Sequence, residues 1–354
     1  MRMEALRVGL VWLRTVGLVA LACLSTQPAV AGETLVVAGY GGSSEATFRT
    51  QILAPFAAQQ HLRVDYIAGA SASNLARLQA ERDHPAIDVA ILDDGPMQQA
   101  TALGLCQPLQ PAPVYRDVYD IATRQADDRS VGIGIVATGL AYNTAAFAHH
   151  GWPVPTSWTD LADPRYRRRV LVPSITNTYG LQTLLALAQA QGGSARDIAP
   201  GFRYLTDRVA PNVLTFETSS GKISELMQTG EVVLGVWGSG RTDALARTGF
   251  PVAFVVPKEG AQALITSACV VAGSRHAALA QALVQSLLSP PVQAILASHA
   301  GWGPVNRTVR LPPAVADTVV YGDQAVARLV PVDWKAVNPA RVAWTQRWVR
   351  EVER

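Results

Sequence analysis

The stretch Gly235-Val236-Trp237-Gly238-Ser239-Gly240-Arg241 puts an aromatic ring, a flexible turn and a guanidinium side by side. Arginine offers a planar fork of donors that matches a carboxylate or a phosphonate, and Ser239 adds a hydroxyl. Trp237 has the shape to pack on the apolar body of a small ligand, and the glycine beside it permits close backbone approach. Ser43, Ser71, Ser73, Ser174 and Thr176 stand on loops or expected helix starts, where free backbone N–H groups also favour anions. Tyr40 and Gly42 occupy the turn after the first apolar run. Asp94 is expected to cap a helix beginning near Pro96; if it reaches a cleft, it holds an amino group and makes the ligand zwitterionic.

These residues fit passive binding better than catalysis. The sequence has no Gly-x-Ser-x-Gly elbow and no Gly-rich phosphate loop ending in Lys-Ser/Thr. Gly238-Ser239-Gly240 resembles a nucleophile turn, but its partner would have to come from six histidines, none in a context that reads as an active-site loop. Adjacent His149-His150 is expected on a solvated turn, so no metal site and no cofactor is expected. A ferric-ion receptor would need oxygen ligands such as paired tyrosines, and there is no adjacent pair. An exported hydrolase or transferase is the competing class, and turnover of the bound molecule separates it from a receptor.

Residues 1–31 read as an export signal: Arg2 and Arg7, an apolar stretch, then Ala29-Val30-Ala31 as a small-residue cleavage site. Lipidation at Cys23 is not expected, since alanine stands where a lipoprotein box has leucine. Cleavage removes Arg2, Arg7, Arg14 and Glu4, leaving 27 basic against 26 acidic side chains. So even a balance excludes the electrostatic footprint of a nucleic-acid or acidic-membrane binder. No later segment is long and apolar enough to span a bilayer. Cys106 and Cys269 then remain. Export permits a disulfide between them, but their apolar flanks favour buried free thiols.

Short apolar runs alternate with helical periods. TLVVA (34–38), LRVDYI (62–67) and DVAIL (88–92) predict strands. Helices are expected at 44–59 and 71–81, the second capped by Ser71, Ser73 and Asn74. This order implies a parallel sheet whose ligands bind beyond the carboxyl ends of the strands. A second α/β unit follows 131–142, with strands at 170–172, 232–236 and 252–256 and helices at 180–191 and 223–229. A last strand at 267–272 precedes a helix at 277–288. The expected organisation is a first lobe of 32–137 and 264–310 and a second of 138–263 and 311–354, with short hinge crossings near 137 and 263.

Seven strings in order resemble the periplasmic solute-binding proteins of ABC importers, in the branch of spermidine and putrescine receptors. They are Gly39-Tyr40-Gly41-Gly42, the run from Asp88 to Gly95, Leu140-Ala141-Tyr142-Asn143-Thr144, and Thr156-Ser157-Trp158-Thr159-Asp160-Leu161 with Pro164-Arg165-Tyr166. Val256-Pro257-Lys258-Glu259-Gly260, Leu288-Ser289-Pro290-Pro291-Val292-Gln293 and Gly301-Trp302-Gly303-Pro304-Val305-Asn306 complete them. The resemblance implies a type II periplasmic-binding-protein fold, two α/β lobes with a hinge and an interlobe cleft. It also implies delivery of a small solute to an ABC permease and its ATPase, by a protein expected to act as a monomer. The polyamine ligand does not follow. The acidic positions of that branch fall here on Ser174, Thr176, Asn177 and Thr178, and its aromatic residue and aspartate on Leu264 and Thr266. A desolvated ammonium without a counter-charge is costly, so the expected ligand is neutral to acidic.

Overall fold

The protein, seen in a computed structural model that describes residues 33–123 and 128–353, is built on nine strands. The expected export signal, its cleavage site and Cys23 lie outside those residues. The strands are β1 Thr34–Gly39, β2 Arg63–Ala68, β3 Val89–Asp93, β4 Val131–Asn143, β5 Val170–Pro173, β6 Val213–Glu217, β7 Leu234–Gly238, β8 Val252–Val255 and β9 Gln262–Val270. Their order is β2-β1-β3-β9-β4-β7-β5-β6, with β8 on β4. β1 pairs in parallel with β2 and β3, and β5 in parallel with β6 and β7. The long β4 and β9 run antiparallel between these two halves.

β4 pairs with β9 over its first part, then takes up β7 at Thr138 and β8 at Leu140. Ala137 and Ala263, at the expected hinge crossings, face each other in that register. β9 is longer than the predicted strand at 267–272 because its N-terminal half is held by β4.

The helices that carry the site are α1 (43–60, with a π-helical middle), α2 Ser71–Ala80, α3 Asp94–Ala102, α4 Thr178–Ala190, α5 Ser220–Gln228, α6 Ser239–Ala246 and, after a core helix α7 Ala277–Leu287, α8 Trp334–Glu351. Each half of the sheet is covered on both faces. Leu35, Val37, Phe48 and Leu283 pack on one side of the first half, and Leu75, Leu78, Ala90 and Leu92 on the other. Val170, Leu181, Leu184 and Phe202 form the larger core of the second half. Burial on both faces explains the continuous apolar strand runs.

Three expectations need correction. Cys106 and Cys269 are disulfide-bonded, not free, with Cα atoms 5.8 Å apart. The chain after α3 lies along β9 through a bridge between Cys106 and Val271, which brings the two cysteines side by side. Second, α2 begins from Ala70 with no side-chain cap. Ser73 donates to the Ala70 carbonyl, Asn74 donates to Gly39 O, and Ser71 accepts from the Asp93 amide. Third, residues 311–354 do not keep to the second lobe. Val320, Val326 and Leu329 join the core of the first half, while Trp344 and Trp348 of α8 join that of the second. Trp334 fills the space above Gly95 of α3, where a Cβ would lie 2.5 Å from its ring. Among the described residues no single helix is long and apolar enough to cross a membrane.

Candidate functional site

A cleft of about 800 Å³ opens at the carboxyl ends of β1, β3, β5 and β7. Such a position follows from the sheet: strand ends leave loops, and the helices after them point their N-termini into the same space. Ala70 and Ser71 bring the start of α2, and Asp93 and Pro96 that of α3. Asn177 and Thr178 bring α4, Ser219 and Gly221 bring α5, and Gly240 and Arg241 bring α6. Each of these helices has eight or more residues. Some first-turn N–H groups are taken, Gly95 donating to Asp94, Tyr179 to Asn177 and Lys222 to Ser219; the dipole ends of the five helices still make one field favourable to anions.

On the side of the first half, Tyr40 donates its hydroxyl to Asp93 Oδ1 at 2.5 Å. Burial and then the neighbouring Asp93 carboxylate push the Tyr40 phenol well above its usual range, so it stays a donor. Trp302 meets Tyr40 edge to face at 5.8 Å and packs on Phe48 at 5.7 Å, giving an aromatic wall. Gly134 makes room for it: a Cβ there would lie 2.8 Å from the indole.

On the other side, Thr178 donates to Asp93 Oδ2 at 2.5 Å, a bond that bridges the two halves. Asn177 caps α4 by accepting from the Tyr179 amide at 2.9 Å. Burial pushes the Tyr179 phenol up to about 12, against the pull of the Arg241 guanidinium beside it. Arg241 also lies 4.0 Å from where a Cβ of Gly42 would stand, so it reaches the first half as well. Trp237 is 1% exposed, packs with Ile223, Leu226 and Leu245, and has no hydrogen-bond partner for its indole nitrogen. A ring buried this deeply braces the wall of the cleft and has little surface left to offer a ligand.

Of the residues singled out in the sequence, Tyr40, Gly42, Ser71, Thr176, Asn177, Trp237, Arg241 and Thr266 line the cleft. Others do not. Ser73 is exposed and closes its own helix turn. Ser174 is buried, and Thr176 donates to its hydroxyl at 3.5 Å. Ser239 accepts from the Ala137 amide at 3.2 Å and serves the crossing strand. The backbone at Ser43 starts α1; its side chain lies outside the described atoms.

Asp94 is neither the cap nor the ligand group expected of it. Helix α3 starts at Asp94 itself, after Asp93. Asp94 lines a separate small cavity with Met97, Ile121 and Ile265, and its carboxyl is pushed up to about 8, chiefly by burial. The neighbouring Asp93 takes the place in the cleft, because it is the last strand residue and Asp94 is the first of the helix.

Sequence reasoning missed Asp93, Tyr179, Trp302 and Arg341 as lining residues. Asp93 and Trp302 lay within the quoted strings, and Tyr179 follows the polar run 174–178. For Arg341, on α8, no local signal existed.

Residues 51–321 match the family described as bacterial extracellular solute-binding protein. The chain belongs to that family. This solute-binding protein is 26% identical over 313 residues to an uncharacterised protein of Haemophilus influenzae, covering 84% of this chain and 85% of that one. It is 29% identical over 185 residues to the phosphoglycerate transport regulatory protein PgtC of Salmonella typhimurium, covering 50% of this chain and 43% of the other. Among solved structures, the periplasmic binding protein AfuA from Actinobacillus pleuropneumoniae, with fructose-6-phosphate bound, aligns with a TM-score of 0.77. The identity is 20%, over 91% of this chain and 98% of that one. AgtB from A. tumefaciens R10, in complex with agropinic acid, aligns with a TM-score of 0.72 at 22% identity, over 91% and 99% of the two chains. These likenesses establish the two-lobe periplasmic-binding-protein fold.

Proposed function

We propose that this protein is the exported receptor of an ABC importer, catching a small organic solute that bears a carboxylate, phosphonate or phosphate group. The observation that carries this reading is the convergence of five helix N-termini with Arg241 on one cleft. Contacts from both lobes favour the closed state, which the permease reads. Residues 1–31 serve as the export signal, cleaved after Ala31, and the mature protein works in the periplasm. The acidic ligands in the names of PgtC, AfuA and AgtB belong to those proteins and agree with the reading.

The polyamine alternative meets a cleft in which, among the described residues, the one lining carboxylate, Asp93, already accepts two hydroxyls. For a hydrolase, Ser239 would have to turn away from the Ala137 amide to reach a substrate.

A thermal-shift and calorimetric screen of the mature protein tests the reading, with carboxylates, phosphonates, sugar phosphates, amino acids and polyamines. Acidic solutes are expected to stabilise it by mass action and to be recovered unchanged. Arg241→Ala is expected to weaken an acidic ligand by about 2 kcal/mol or more, the scale of a charge-assisted hydrogen bond. Stabilisation by spermidine but by no acid, or conversion of the bound molecule, defeats it.

A further inference from the structure

Among the described residues, three charged side chains line the cleft: Asp93, Arg241 and Arg341. Arg341 is unlike the others in origin, because it comes from the C-terminal helix α8 and not from a strand end. Two contacts fix its place. Asn338, one turn earlier, donates to Gly95 O at 3.2 Å and accepts from Gln99 at 3.0 Å, pinning α8 along α3. Trp334 and Val337 anchor the same helix in the core of the second half. The guanidinium is therefore held beside the start of α3 and near Asp93.

Among the described residues, nothing answers the charge of Arg341 at contact distance. Its guanidinium makes no ion pair and no hydrogen bond among the described residues; its backbone carbonyl accepts from the Thr345 hydroxyl. Asp93 attracts it at longer range, but both Asp93 oxygens are engaged by Tyr40 and Thr178. Burial lowers the Arg341 pKa from the usual arginine value, and the attraction of Asp93 only opposes that effect. A partly desolvated guanidinium in this position is costly until an anion meets it.

We propose that Arg341 is a second anion subsite, and that the solute therefore carries two acidic groups, one met by Arg241 and the helix ends around it, the other by Arg341. This rests on the acidic-solute reading above and sharpens it. Asp93 acts as a positioning residue: it draws Arg341 toward the cleft while its own oxygens stay occupied, so it does not compete for a ligand ammonium. Because the Asp93 oxygens are taken by Tyr40 and Thr178, each of the two guanidiniums still lacks an acidic group at contact distance; a doubly acidic solute supplies one to each, and a zwitterion supplies only one.

Isothermal titration of the mature protein with three matched phosphonates tests the proposal. 3-Phosphonopropionate carries a second acid, 2-aminoethylphosphonate an ammonium, and propylphosphonate neither. The first is expected to bind about ten-fold or more tighter than propylphosphonate. In Arg341→Gln that ratio is expected to fall close to one, and in Arg341→Lys to keep an intermediate value. Arg241→Gln weakens all three. Unliganded melting temperatures confirm that the variants fold, and crystal structures of the complexes read the position of the second acid where a variant does not.

Equal binding of the first two phosphonates, tightest binding of 2-aminoethylphosphonate, or a ratio that survives Arg341→Gln overturns the proposal and leaves the acidic-solute reading standing. No binding of any phosphonate, nor of the matched pair 3-phosphoglycerate and glycerol 3-phosphate, defeats the acidic-solute reading and this proposal with it.

Discussion

Closure of the lobes can be opposed by a single methyl group at Gly240. A Cβ added there would stand 2.3 Å from the carbonyl oxygen of Gly301 and 2.9 Å from its carbon. Both are backbone atoms, and Gly301 is held at φ +67° at the end of the helical segment before Trp302, so neither can swing aside as a side chain would. Ordinary contact requires α6 and the 296–301 turn to separate by about 1 Å, an overpacking that costs about 1–3 kcal/mol. These two elements belong to opposite halves of the sheet. If they meet as the cleft shuts, the cost falls on the closed state alone. Gly240→Ala is then expected to weaken solute binding by about 5- to 150-fold, while the melting temperature of the unliganded protein, free to open, moves by no more than about 2 °C. Differential scanning calorimetry gives the second quantity and isothermal titration the first. A large fall in melting temperature with unaltered affinity would refute the reasoning, because it would place the contact in the fold itself.

Two further outcomes concern stability. Burial raises the Asp94 carboxyl to about 8, above its value in an unfolded chain, so the native state holds the extra proton between about pH 4 and pH 8. The resulting stabilisation is full below the unfolded pKa and is lost as pH rises through 8. It is on the order of 2–5 kcal/mol, toward the lower end because the side chain is only half-buried. Asp94→Asn is expected to flatten the fall in melting temperature between pH 5 and pH 8; an unaltered slope counts against the buried acid. The Cys106–Cys269 disulfide closes a sequence separation of 163 residues. Its reduction, or replacement of both cysteines by alanine, is expected to cost about 2–4 kcal/mol in denaturant unfolding. An unshifted midpoint after confirmed thiol titration refutes that.

The amino-acid sequence by itself determined the alternation of strands and helices, since apolar runs bounded by glycines and polar turns carry that pattern locally. It also marked where the cleft would lie: Tyr40, Thr176, Asn177, Trp237 and Arg241 all stand at strand ends or helix starts, and all line it. What depends on which strand end faces inward was not legible there. Asp93 and Asp94 are neighbours of identical type, and only the passage from β3 into α3 sends the first into the cleft and the second into another cavity. Ser73, Ser174 and Ser239 read as ligand hydroxyls, but Ser73 and Ser239 bond to the backbone and Ser174 is buried, choices made by packing. The pairing of Cys106 with Cys269 and the arrival of Arg341 beside Asp93 join segments far apart in the chain. Such meetings leave no local periodicity or turn chemistry, so only the tertiary structure decided them.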